Sequence, residues 1–168
     1  MTDQIQNLRA ECKRQEESCL YTSTCLYIWL RRARFWRRVF VTTPIVLGGF
    51  ATWSVLNDTG CPVVELITAA CALGAGIFPA LFVALDMNRG IDQISRLAAE
   101  FKNLQDRFRV AADVSSYNDY PSFESSFNEL MARLEAARSN SVTPPERFFN
   151  AARKKIESGD YSFSIDSP

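Results

Sequence analysis

The stretch RRARFWRRVFVTTPIVLGGFATWSVL, from Arg31 to Leu56, decides the fold. Its first eight positions hold five arginines, and the eighteen residues that follow, Val39 to Leu56, carry no charge. Such a junction belongs either to the edge of a buried helix in a globular core or to a chain entering a lipid bilayer. The neighbouring sequence separates the two. After a polar turn, Asn57-Asp58-Thr59-Gly60-Cys61, a second apolar block runs from Pro62 to Leu85 with Glu65 as its one charge. A helix crosses a hydrocarbon core of about 30 Å with about 20 apolar residues. The second block has that length, and the first reaches it when its ends are counted generously. Buried helices of soluble proteins are usually shorter and keep a polar stripe. These blocks are apolar around their circumference and contain Pro44 and Pro79, which transmembrane helices tolerate better than soluble ones. The reading is two membrane spans.

Orientation follows from charge. Arg31, Arg32, Arg34, Arg37 and Arg38 flank the first span and Arg89 follows the second, whereas the connecting turn holds no Lys or Arg and carries Asp58. Positive residues stay on the cytoplasmic side, so both termini are expected in the cytoplasm and the turn outside. Trp36 and Trp53 fall near the two edges of span one, the level that amphipathic rings prefer.

The totals agree with this division. Acids and bases number 19 each in a chain of 168 residues, so no global charge points to nucleic acid. Histidine is absent, which removes the commonest general base, metal ligand and pH switch. The five cysteines, Cys12, Cys19, Cys25, Cys61 and Cys71, are odd in number and lack zinc spacing. They are expected as reduced, packed thiols. The first apolar stretch begins near position 39, which does not fit a cleavable signal peptide.

The flanks read as helices. Ile5, Leu8, Cys12 and Cys19 recur at heptad-like spacing, and no Pro or Gly occurs before Pro44. Beyond span two, Ile91, Ile94, Leu97, Ala98, Phe101, Leu104 and Phe108 follow the alternation of an amphipathic helix. Only Gly90 interrupts the run from Leu85, so both spans are expected to continue as long antiparallel cytoplasmic partners. The helix should end near Asp113. A further helix carries Phe123, Phe127, Leu130, Met131 and Leu134 on one face. After a Ser139–Pro145 linker, a short last helix begins at Pro144 or Pro145, capped by Thr143, and ends at Gly159. The tail, DYSFSID, alternates as a short strand or docked extended segment would. The expected fold is therefore an all-α membrane protein: a two-helix transmembrane hairpin whose helices extend into a cytoplasmic helical bundle. Its segments are 1–38, the spans 39–56 and 62–85 about the turn 57–61, the cytoplasmic helices 86–139, and the short helix and tail 140–168.

No enzyme signature is present. Gly48-Gly49 and the Gly74–Gly76 stretch lie inside the apolar blocks without the strand–turn–helix context of a phosphate loop. No nucleophile has a base, and the acids scatter among bases on helix faces. The protein is not expected to be an enzyme, and no cofactor or metal is expected.

The candidate functional residues lie in the spans. Glu65 is ionisable within an apolar segment, which marks a site, although it sits only about one turn inside and also suits an interface anchor. At helical spacing it shares a face with Thr68, Ala72 and Gly76. Small residues at Ala72, Gly76 and Ala80 permit close helix contact, and Gly48 and Gly49 offer the same in span one. This contact can lie within the hairpin or between chains. Two helices cannot enclose a conduit, so a pore requires several copies. Its candidate wall is Glu65, Thr68, Ala72 and Gly76 with Thr42, Gly49 and Thr52. Arg31, Arg32, Arg34, Arg37 and Arg38 with Trp36 form a topology anchor that contacts anionic lipid. Nucleic-acid binding, which the interleaved Phe35 and Trp36 would suit, is not expected, because membrane orientation already accounts for the cluster.

The layout resembles the SLATT family, bacterial two-transmembrane domains that accompany nucleotide second-messenger synthases and nucleotide-sensing domains in defence loci. The resembling features are the helix through RARFWRRVF into span one, the short NDTG turn, and span two followed by DMNRGIDQISRLAAEFKNLQDRFR. The ending PPERFFNAARKKIESGDYSFSID also matches: an aromatic residue, a basic helix, a Gly and an alternating tail. The resemblance covers nearly the whole chain and carries no catalytic residues. It implies an inner-membrane effector of an antiviral defence system. Such an effector compromises the bilayer when an upstream nucleotide synthase or sensor protein detects infection; that it is homo-oligomeric is expected because two helices cannot enclose a conduit. The other reading is a membrane-anchored scaffold whose cytoplasmic bundle recruits a partner without conduction.

Overall fold

The computed structural model describes residues 2–56, 62–117 and 119–160. It is all-helical: α1 (Thr2–Leu56), α2 (Pro62–Ala84), α3 (Met87–Asp113), a single 3-10 turn (Ser115–Tyr117), α4 (Tyr120–Ser139) and α5 (Glu146–Glu157), with no strand among the described residues. The turn expected at 57–61 and the alternating tail from Tyr161 onward lie outside the described residues. The chain divides into two compact units, Met1–Leu30 with Gln93–Pro168, and Arg31–Asp92.

The first unit is a helical bundle. Along α1, Cys12, Cys19, Ser23, Leu26 and Leu30 are buried, an alternation of seven and three or four that keeps one face inward. Ile5 and Leu8, nearer the start, are half-buried. Along α3, Ile94, Leu97, Ala98, Phe101, Leu104 and Phe108 are all buried, as their spacing requires. On α4, Phe123, Leu130, Leu134 and Ala137 are buried, while Phe127 and Met131 are half-covered at the margin. The Phe108 and Phe127 rings meet at 6.3 Å and 65°. Full burial of Phe108 and Phe123 stabilises the bundle by roughly 2–3 kcal/mol each. Polar pairs at the margin fix the helix register: Arg133 of α4 donates to Glu100 of α3 at 2.7 Å, and Arg138 of α4 donates to Gln15 of α1 at 3.1 Å.

Local chemistry sets the ends. Asp119 caps α4, its carboxylate accepting from the Ser122 backbone N–H at 3.4 Å and hydroxyl at 3.1 Å. The last helix differs from expectation at its start. It begins at Glu146 after Pro145, with no side-chain cap, so Thr143 is not the cap. Each residue before a proline is driven out of the helical region. The Pro144-Pro145 pair therefore delays the helix and leaves Thr143 beyond reach of its first N–H groups. Gly159, at φ 85°, closes the helix as expected. α5 packs on α1: Phe148 stacks on Trp29 at 6.3 Å and 25°, and Ala152 and Cys25 are buried beside it.

The second unit is the α1–α2 hairpin. Its α2 seam is Val64, Thr68, Cys71, Ala75, Phe78 and Phe82, half-covered and spaced by alternating fours and threes. On α1 the matching positions are Phe40, Pro44, Leu47 and Ala51. Phe40 meets Phe78 edge to face at 5.6 Å, and Leu47 lies against Gly74, so the helices run antiparallel.

α2 does not pass uninterrupted into α3. Leu85 still bonds back to Leu81 at 2.9 Å, but Asp86 takes φ 43° and its N–H turns to Val83 at 3.1 Å. Asp is among the few side chains that tolerate this left-handed region. Its carbonyl then accepts from Gly90 at 3.2 Å and starts the next helix. The sequence leads one to expect an unbroken passage with Gly90 as its one weak point; the interruption falls at Asp86 instead, and Gly90 is an ordinary position within α3.

Candidate functional site

Among the described residues, α2 is the helix long and apolar enough to cross a membrane by itself, 23 residues or about 34 Å. None of its residues is buried within the chain. A core helix of a soluble protein would be mostly buried, which α2 is not.

The surface of α2 divides into three stripes. One is the seam toward α1. A second holds Leu66, Ile67, Leu73, Ile77 and Leu81, all exposed, with Leu66 at 72 % and Leu73 at 69 %. The third holds Glu65, Ala69, Ala72, Gly76 and Ala80, also exposed. The close approach inside the hairpin is made at Gly74, where a β-carbon would stand 3.1 Å from Leu47 Cδ1. At Gly76 and Gly49 a β-carbon would meet nothing within 4 Å. The row Ala72, Gly76 and Ala80 is thus not the contact between α1 and α2. Sequence reasoning missed Gly74, although the seam spacing 64, 68, 71, 75, 78, 82 puts residue 74 at its border.

The remaining candidate wall residues distribute as follows. Thr68 departs from Glu65 and sits on the seam, half-buried. Thr42, Gly49 and Thr52 are exposed on α1. Positions 42 and 49 point away from the seam, since about 100° of rotation per residue sets them opposite Phe40 and Leu47. The threonine hydroxyls are satisfied on their own helix: Thr42 donates to the Arg38 carbonyl at 2.9 Å, Thr52 to Gly48 at 2.9 Å and Thr68 to Val64 at 2.8 Å. Glu65 lies in the first turn of α2, where the helix dipole favours negative charge.

The arginine cluster is exposed throughout and splits in two. Arg32 lies over aromatic rings, its guanidinium carbon 6.0 Å from the centroids of Phe35 and Trp36. Arg34, Arg37 and Arg38 line a groove of about 360 Å³ with Val41 and Thr42.

Elsewhere, burial pushes the Cys12 and Cys19 thiols up to about 11, Glu11 adding to the effect at Cys12, and raises Cys25 as well. With Cys71 these are free, and Cys61 lies outside the described residues. A cavity of about 380 Å³ between α3 and α4 mixes Asp106, Glu129 and Arg107. Opposite charges share it, so it selects no sign of ligand.

Comparison with known proteins found no family model, no curated protein and no solved structure that matches.

Proposed function

We propose that the chain is a membrane effector of a bacterial conflict system. In this reading it crosses the inner membrane twice with both termini cytoplasmic, assembles with copies of itself, and opens or disrupts the bilayer when an upstream nucleotide synthase or sensor triggers it. The observation that carries it is the division of the free surface of α2. Bulky side chains suit acyl chains, whereas a stripe of small residues lets another backbone approach closely in lipid. That stripe is unused by the hairpin and is headed by Glu65, an ionisable group of the kind that marks ion paths. The uncharged Val39–Leu56 segment packed along α2 supplies the second span. The SLATT-like layout supplies the biological class.

Induced expression in bacteria tests this, with a potential-sensitive dye as readout. The wild type depolarises cells. Gly76→Leu, Gly49→Leu and Glu65→Ala remain in the membrane fraction and lose depolarisation. Full depolarisation by all three variants sinks the assignment. The scaffold reading draws on one observation: Val110, Val114 and Tyr117, adjacent at the end of α3, are exposed apolar residues of the first unit. Under it the wild type leaves the potential unchanged.

A further inference from the structure

The groove beside Arg34, Arg37 and Arg38 has a chemistry that topology alone does not require. Positions 34, 37, 38, 41 and 45 fall on one strip of α1 at about 100° per residue. One end of the strip carries three guanidinium groups. The other carries Val41 and Ile45, exposed by 47 % and 72 %. The sequence holds no Asp or Glu between Glu17 and Asp58, so α1 offers the groove no acid at helical spacing. Arg32 faces the other side and is engaged with Phe35 and Trp36. Clustered guanidinium forks suit phosphate oxygens, which they bind in pairs. The apolar continuation gives a bound molecule somewhere to lay a hydrocarbon tail.

We infer that this groove is a binding site for an acidic phospholipid. The phosphate is held by Arg34, Arg37 and Arg38, the first acyl carbons lie along Val41 and Ile45, and a lipid with two phosphates binds better than one with a single phosphate. A free phosphate or nucleotide would use the guanidinium end alone, so the apolar end favours lipid. The inference rests on the membrane reading above and adds a lipid class to it.

The test uses the full chain in nanodiscs of phosphatidylcholine containing phosphatidylglycerol or cardiolipin at matched charge, with bound lipid per chain measured after a delipidating wash. The wild type retains cardiolipin in preference to phosphatidylglycerol. At about fivefold per arginine, Arg34→Gln/Arg37→Gln/Arg38→Gln lowers retention by roughly 100-fold, while Arg14→Gln leaves it unchanged. The triple lysine variant keeps attraction to acidic discs and loses the preference for two phosphates. Unchanged selectivity in the glutamine variant, or displacement of lipid by inorganic pyrophosphate at equal ionic strength, overturns the site. Release of the wild type from phosphatidylcholine discs overturns the membrane reading and the site with it. Retention in the disc without lipid selectivity overturns the site alone.

Discussion

Leu47 of α1 holds its Cδ1 3.1 Å from the place a β-carbon at Gly74 of α2 would occupy. The contact separates two kinds of small residue on one helix. Gly74→Leu should destabilise the hairpin by about 1–3 kcal/mol through overpacking, and Leu47→Ala in the same chain should recover most of the loss. Gly76→Leu, with open space around it, should leave unfolding of the detergent-solubilised monomer unchanged. Thermal melts of the three variants check this. Equal losses at 74 and 76 would contradict the seam.

The backbone at Asp86 gives a second expectation. A left-handed residue costs roughly 1–2 kcal/mol for most side chains and little for glycine. Asp86→Gly should therefore keep or raise stability, and Asp86→Val should lower it by that amount. Chemical denaturation of both variants decides whether the break between α2 and α3 is held by this residue.

The α5 clamp is asymmetric. Phe148 is buried against Trp29, while Phe149, beside Tyr21 at 6.4 Å, is 47 % exposed. Phe148→Ala should cost about 3 kcal/mol and Phe149→Ala less than about 1 kcal/mol. Loss of the Trp29 fluorescence environment in a Trp36→Phe/Trp53→Phe background would report undocking of α5. A larger effect at Phe149 would contradict the packing.

The thiols supply a pH dependence. Burial raises Cys12 and Cys19 from 9.0 to about 11 in the folded chain. The neutral thiol is the form that folding favours, so this contribution is complete below pH 9 and is lost as pH climbs through 11. Stability should fall across that window in the wild type and less in Cys12→Ala/Cys19→Ala. Alkylation of these thiols should be slow at neutral pH, when the thiolate fraction is small. Rapid labelling of Cys12 or Cys19 themselves in the folded chain at pH 7 would refute their burial.

Most of the helices were legible because their apolar periods are long and regular. Ile91 through Phe108 on α3 were named from spacing, and all seven are buried. The α3 end at Asp113 and the closing role of Gly159 followed from turn chemistry. What the sequence concealed lay in choices between neighbours. Gly90 is the stronger breaker by propensity, yet a glycine inside a helix costs only about 1 kcal/mol, and Asp86 takes the left-handed turn instead. Thr143 is a good cap by type but is displaced by the two prolines after it. The small residues of α2 could be read as a single row. Only the seam shows that Gly74 faces α1 while Ala72 and Gly76 do not. In the sequence the second apolar block already had the length of a crossing while the first reached it only with generous ends, and α2 is the one whose length and composition suffice for a crossing by themselves.

The threonine hydroxyls carry a consequence for polarity. Thr42, Thr52 and Thr68 each spend their proton on a carbonyl four residues back. On Thr42 and Thr52, which are exposed, what remains outward on the oxygen is a lone pair. Together with the Glu65 carboxylate, the polar atoms these faces offer are electron-rich acceptors. A cation or the hydrogens of water can be welcomed there, whereas an anion gains no donor from these groups.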